Sequence, residues 1–485
     1  MKNIYLKKIG VSLLLATIFS CTSYVDDMNV DPDLLTEVGA KDLFQGVLLG
    51  NQFFQTSSIA REQMIWMNQA NGENRQYITS NNWNNATASA FDDNWDFAYV
   101  NCITQSKILQ QKADIEDNKR IKGAAQVIEA LCIGTVASLW GDVPYSELDI
   151  TGKNLAPKYD SQLSVYESAQ ALLDNAIVNL GTTTGGKLPT AGDIYYGGDT
   201  SKWIKLAYSI KARFYLHVKD YSKAKTNALL GINNADDDLK AIFGQSYGQS
   251  FNPYYSFLVY DRDDYMSGDS YAARLLDPST SLYRGNAKTD ESARFRFNYL
   301  TDANYFDPYE LNYYCDFDWG ATNGKFGGDS NMNLVTYGEM LLIIAEADAR
   351  TSFATGLDSY NEYRSLLNTG YSIGINNDGY DDETFSYAAY DAADFDASGM
   401  ENVSGSLTNQ NALLREIYQE RYIYFLGSFE CFTDFGRTNN IAEIQLKAGN
   451  AGSPQRFIYS QKEINSNPNT PSPVPTIVTK TPVHN

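Results

Sequence analysis

Apolar residues recur at helical spacing along much of this 485-residue chain. Ile121, Ala124, Ala125, Ile128, Leu131, Cys132, Thr135, Val136 and Leu139 follow the i, i+3, i+4, i+7 rule, which predicts an amphipathic helix. Gly141 and Pro144 stop it. A second stripe, Trp203, Leu206, Ala207, Ile210, Phe214 and His217, predicts another helix from Ser201. Thr200 or Ser201 can cap it, since either hydroxyl can accept a free amide hydrogen of the first turn. Tyr221 to Ile232 reads as its partner. Further helices are predicted over 38–55, 91–113, 161–180, 336–351, 357–367 and 409–425. The fold class this predicts is all-α.

The helix–turn–helix around Asp220, with Ala207 and Ala224 at close contacts, looks like a tetratricopeptide unit, although no fixed-period repeat runs along the chain. Two long irregular stretches, about 243–334 and 368–406, separate the helices. Both are rich in Gly, Asp, Asn, Ser and Tyr. Loops of that length carry function or are disordered, and their aromatic content argues for order. No Gly/Ser or Pro linker divides the interior, so residues 21–485 read as one domain. Residues 466–485, rich in Pro, Thr, Ser and Asn, read as an extended, weakly ordered tail.

The amino terminus changes the picture of where the chain resides. Lys2, Lys7 and Lys8 precede an uncharged, largely apolar run from Ile9 to Ser20. About 20 apolar residues are needed to span a bilayer, so residues 1–20 read as a secretory signal peptide. Charged residues interrupt every later apolar run. The signal ends in Ile18-Phe19-Ser20-Cys21, which resembles a bacterial lipobox. That resemblance implies cleavage before Cys21 and diacylglycerol on its thiol, a membrane anchor that does not span. Without residues 1–20 the formal charge moves from −21 to −24, because three lysines leave. So acidic a body has little attraction for nucleic acid. Cys102, Cys132, Cys315 and Cys431 are widely spaced, with no C-x-x-C pair, and Cys102 and Cys132 read as buried free thiols.

Enzyme signatures are scarce. Of the two histidines, His217 lies on a helix face and reads as a packing residue, and His484 falls in the tail. No H-E-x-x-H, G-x-S-x-G or phosphate loop occurs, and no cofactor is indicated. The acidic clusters at Asp236–Asp238, Asp261–Asp264 and Asn376–Glu383 miss the spacing of an EF-hand and read as solvated turns, with no metal expected. The 35 tyrosines and 6 tryptophans say more, because many fall outside the periodic helices. A flat aromatic matches the C–H face of a sugar ring at low entropy cost. Amide, carboxylate and guanidinium groups match its hydroxyl rim. Both kinds crowd into two segments. One holds Arg75, Tyr77, Asn82, Trp83 and Asn84; the other holds Tyr313, Asp318 and Trp319. The pair would form a clamp. The alternative is that Trp83 and Trp319 pin their loops to the helices. Trp95, Trp140 and Trp203 lie in helical pattern and read as core.

Four segments resemble the SusD/RagB family of outer-membrane lipoproteins. They are Ser138-Leu139-Trp140-Gly141-Asp142-Val143-Pro144-Tyr145; the Trp203, Ala207, Ala212-Arg213 helix; Glu420-Arg421 with Phe425-Leu426-Gly427 and Asp434-Phe435-Gly436-Arg437; and the stretch from Pro454 to Asn467. In the last, Ser460 stands where the family has proline. The segments occur in family order and cover nearly all of 21–470. The resemblance implies tetratricopeptide-like pairs forming a curved scaffold with ligand loops clustered on one side. It implies a non-catalytic lid on a TonB-dependent outer-membrane transporter of the SusC type, binding oligosaccharide or, in some members, peptide. The Asn74–Asn85 stretch resembles, by its position, a ligand-contacting loop of the family. Trp140, Gly141, Pro144, Glu420, Arg421 and Arg437 read as fold markers, the charged ones as buried ion pairs that fix helix packing.

Overall fold

The apolar stripe from Ile121 to Leu139 forms the central helix, Lys119–Trp140, whose side chains are nearly all buried. The computed structural model describes residues 38–246, 250–302, 306–315, 324–374, 384–447 and 452–485. By length and composition alone that helix could cross a membrane, but it is sealed inside the body and is a core helix. Lys119, Arg120 and Lys122 in its first turn and Glu129 at its middle are the charges that interrupt its apolar run.

Helices stack on it in antiparallel pairs. Gln105–Ile115 and Gln162–Leu180 both pack against Lys119–Trp140. Thr200–His217 pairs with Tyr221–Ala228, which packs on Tyr337–Thr351. That helix pairs with Phe353–Leu367 and also meets Asn409–Tyr424. This is the predicted all-α scaffold of tetratricopeptide-like hairpins. Among the described residues its strands are ten segments of two to six residues, joined as two-stranded antiparallel ribbons.

The predicted helices are all present, with ends moved by local chemistry. Asp199, rather than Thr200 or Ser201, caps the Thr200–His217 helix. Its carboxylate accepts from the Ser201 and Lys202 amides at 2.8 and 3.4 Å and from the Ser201 hydroxyl at 2.6 Å. Those bonds, the Ser201 hydroxyl first, hold the carboxyl below its usual range. Asp199→Ala is expected to cost about 1 kcal/mol, read as a lower thermal unfolding midpoint above pH 5 and a smaller difference at pH 3. The sign follows from the lowered pKa: the cap's contribution is present above about pH 4 and lost below. The partner helix stops at Ala228 rather than Ile232. The 91–113 stretch is helical throughout, but Phe97–Thr104 winds as a π-helix between two α-helical pieces. A helix at Ser58–Trp66 was not foreseen.

The family motifs meet in three dimensions. Gly141 takes φ +81°, a conformation that favours glycine, and turns the chain at the end of the central helix. Val143–Pro144 then pairs with Tyr159–Asp160. The buried Trp140 indole donates to the Ile458 carbonyl at 2.8 Å, and the Phe457 amide donates to the Leu139 carbonyl at 2.7 Å. Trp66, Phe91, Trp95, Trp140 and Phe457 form one aromatic core with centroids 5.1–6.4 Å apart. Trp203 is buried as well.

Residues 466–485 do not form a loose tail. Ile477 accepts the Gln455 amide at 2.7 Å, Val483 donates its amide to the Gln162 side chain at 3.0 Å, and Thr481 and His484 are buried. Burial pulls the His484 ring down to about 3. Composition misled here because specific backbone pairings, which leave no periodic trace, hold the segment down. Cys102, Cys132 and Cys431 are buried free thiols, and Cys315 is half-buried. His217 is enclosed, 3.1 Å from the Tyr166 hydroxyl and 2.9 Å from Glu430.

Candidate functional site

The loop that holds Arg75 to Asn84 leaves the scaffold after the Ser58–Trp66 helix. Its root, Asn71–Gly72, pairs antiparallel with Met266–Ser267, Asn71 opposite Ser267 and Gly72 opposite Met266. The ribbon continues one step, with the Glu73 amide donating to the Tyr265 carbonyl at 2.9 Å. The side chain of Asn81 then reads both backbone groups of Gly72: its Oδ1 accepts the amide at 3.0 Å and its Nδ2 donates to the carbonyl at 2.8 Å. Asn74 donates to Asp264 at 2.6 Å. Ser80 donates to Glu62 at 2.7 Å, and Asn85 donates to the same oxygen.

These bonds hold a strained backbone. Asn68, Arg75 and Trp83 take φ of +53°, +48° and +51°. Side chains with a Cβ avoid that region, at about 1–3 kcal/mol each, and such residues concentrate where a site is held in shape.

Tyr77 lies on a single helical turn, Gln76–Ser80, and is 9% exposed. Its ring sits 5.2 Å from Phe257 and 5.8 Å from Tyr265. Arg75 is exposed, its guanidinium 5.9 Å from the Tyr265 centroid, and Arg262 shares that ring at 5.5 Å. Arg61 lies 3.7 Å over Phe257. Asn82 is half-buried and accepts the Asn84 amide at 3.3 Å, while Asn84 is exposed. Trp83 is only 6% exposed, so its ring pins the loop rather than offering an open platform. Its indole N–H is buried without an acceptor among the described residues.

The second segment places Tyr313 half-buried and Tyr314 50% exposed. Cys21, Asp318 and Trp319 lie outside the described residues. Between the two loops run residues 251–265, a segment that sequence reasoning singled out for its acidic turn at Asp261–Asp264 and not for its aromatics. Tyr265 and Phe257 pack on Tyr77 from one side. Phe251, Tyr255 and Tyr260 cluster on the other, with centroids 5.1–6.2 Å apart and Tyr260 50% exposed. Burial pushes the Tyr255 hydroxyl up to about 12, with smaller contributions from Tyr260, Cys315 and Tyr313. Burial also raises the Tyr313 hydroxyl, followed by Glu310 and Asp263. Ser256–Asp261 winds as a π-helix, a geometry frequent at functional sites. The signal that could have found this wall was six aromatics between Phe251 and Tyr265. Without helical period, they read as part of a long loop.

Tyr77, Phe257 and Tyr265 thus join the Arg75-bearing loop and the 251–265 segment in one aromatic and amide-rich region. Carboxylates also line it. Burial, then Glu73, pushes the Glu310 carboxyl up to about 7.

A family model described as "Starch-binding associating with outer membrane" matches residues 33–460. No curated protein matches the chain. Several solved structures share its fold. A SusD/RagB family protein from Bacteroides thetaiotaomicron aligns with TM-score 0.62 at 20% identity, over 89% of this chain and 95% of that one. A SusD homologue from Bacteroides fragilis aligns with TM-score 0.62 at 17% identity, over 92% and 99%. A chitin-binding SusD homologue from Flavobacterium johnsoniae aligns with TM-score 0.59 at 16% identity, over 91% and 98%. The helical scaffold, the ordered motifs and a family match over most of the length lead to one conclusion: the chain belongs to the SusD-like family.

Proposed function

We propose that this protein binds an oligosaccharide at the cell surface, without catalysis, and passes it to a TonB-dependent outer-membrane transporter of the SusC type. A lipid on Cys21 would tether it, with residues 21–485 acting as one domain. The observation that carries the reading is the aromatic segment 251–265, which packs on Tyr77 of the Arg75-bearing loop through Phe257 and Tyr265 and leaves Tyr260, like Tyr314, half exposed. Exposed aromatic rings next to amide and guanidinium groups suit the two chemistries of a sugar ring. The chitin-binding relative and the family description support a glycan in particular. Trp83 contributes by holding the loop.

Isothermal titration of the mature protein with maltohexaose, chitohexaose, a wider glycan set and a peptide mixture tests this. Heat is expected from at least one glycan. Tyr260→Ala and Tyr313→Ala are each expected to weaken that ligand about tenfold, or ~1.4 kcal/mol. Silence from every glycan overturns the reading, and heat from peptides alone replaces it with peptide capture. Release of shorter sugars during long incubation would make the protein a glycoside hydrolase.

A further inference from the structure

Lys447 sits at the root of the ligand loop, and its ammonium meets three acceptors. It donates to the Ala70 carbonyl at 2.8 Å, to Asn81 Oδ1 at 2.8 Å and to Asn71 Oδ1. Ala70 and Asn71 are where the chain enters the loop. Asn81 is the residue that reads both backbone groups of Gly72 and so folds the loop back on its entry. One side chain from a distant segment thus ties together both ends of the turn that displays Arg75 and Tyr77. The segment carrying it is itself anchored. Asn68 donates to the Gln445 carbonyl at 2.6 Å, and Asn440 closes a two-bond ring with Ile444 at 3.0 and 2.8 Å.

We infer that Lys447 is a positioning residue for this loop, and that loss of its proton loosens the loop. The inference rests on the proposed role of the loop, but its mechanical part stands without a ligand. An ammonium has three N–H donors, matching the three oxygens. A neutral amine has two N–H groups and a lone pair, so one oxygen then faces a lone pair. Three charged groups face Lys447 from the elements around it: Asp269 beyond Met266–Ser267, Glu73 after the loop root, and Arg274 on Tyr271–Leu276. Burial is the largest influence and pulls the amine down to about 7; the two carboxylates oppose this and Arg274 adds to it. Raising pH through neutrality therefore removes a donor from a fully used clamp. Below that pH the loop is held; above it the loop opens more often.

Hydrogen exchange of the intact mature protein, read by mass spectrometry on peptides spanning 70–85 and corrected for intrinsic rates, tests this at pH 6 and pH 8.5. Wild-type protection of this loop is expected to fall about tenfold at the higher pH. Lys447→Met is expected to show low protection at both pH values. Lys447→Arg, which keeps its charge, is expected to hold or partly restore protection at both. The 119–140 helix, protected throughout, reports that each variant is folded. Equal wild-type protection at the two pH values, or Lys447→Met matching wild type, overturns the inference. Should the larger guanidinium disturb the site, the wild-type profile and Lys447→Met decide alone. Because no ligand enters the experiment, its outcome is independent of the glycan titrations.

Discussion

Glu420→Ala is expected to cost about 3–5 kcal/mol of folding stability, measured by chemical denaturation at pH 7. Glu420 is buried and accepts four hydrogen bonds: from Arg294 at 2.6 and 2.9 Å, from Arg284 at 2.7 Å and from the Tyr363 hydroxyl at 2.6 Å. Both guanidiniums are shared. Arg284 also pairs with Glu291 and Glu416 at 2.7 Å each, and Arg294 with Glu291 at 2.6 Å. Removing Glu420 leaves two buried cations facing two carboxylates, with the missing oxygens replaced by nothing. The buried guanidinium and hydroxyl donors left without an acceptor, rather than any net gain from the pairs, set the size of the effect. A loss under about 1 kcal/mol would mean that water reaches the cluster, and would sink its role as a buried fastener.

The same cluster fixes an acid limit. Burial pushes the Glu420 carboxyl up, but Arg294 and Arg284 outweigh it and hold it well below the usual range. Glu346 and Glu430 are held at about 2 against the same burial, by Arg437 and by Arg213 with His217 respectively. A carboxyl lowered by folding stabilises the fold above its unfolded value, near 4.5, and loses that contribution as pH falls toward 2. Glu401 works the other way. Burial, with Glu416 nearby, raises it to about 7, so its contribution fades as pH rises from about 4.5 to 7. Glu420→Ala removes part of the acid-side slope, and its stability deficit shrinks below pH 4.

Much of the scaffold was legible because burial writes a period into a helix. The stripe from Ile121 to Leu139 could hardly be anything else, and Glu420, Arg421 and Arg437 do lie in buried ion pairs, Arg421 to Asp434 at 2.6 Å and Arg437 to Glu346 at 2.6 Å. The site was legible only in part. The Arg75–Asn84 stretch stood out because aromatic and amide residues alternate there, yet the orientation of Trp83 depends on its left-handed backbone, which composition does not encode. Tyr255, Tyr260 and Tyr265 were hidden in a long loop, since a wall made by tertiary packing has no sequence period. The terminal segment was misjudged for the same reason: the bonds of Ile477 and Val483 join residues that composition treats one at a time.

Gly72→Ala is expected to weaken glycan binding by about 30-fold, or ~2 kcal/mol, while lowering stability by about 1–3 kcal/mol. A Cβ at Gly72 would lie 1.8 Å from the Tyr77 carbonyl oxygen and 2.4 Å from its carbon. Those atoms are backbone and cannot swing aside as a side chain would. The helical turn Gln76–Ser80 must then lift away from the ribbon. That breaks the paired bonds between Asn81 and Gly72 and draws Tyr77 away from Phe257 and Tyr265. Arg75, placed by the same turn over Tyr265, moves with it. Gly46→Ala is the matched control, since nothing lies within 4 Å of its new Cβ on the Ala40–Gln55 helix and affinity there is expected to hold. Titration of both variants with the wild-type ligand reads the difference. Unchanged affinity in Gly72→Ala would show that the loop does not need its closed shape to bind, and would move the binding surface away from it.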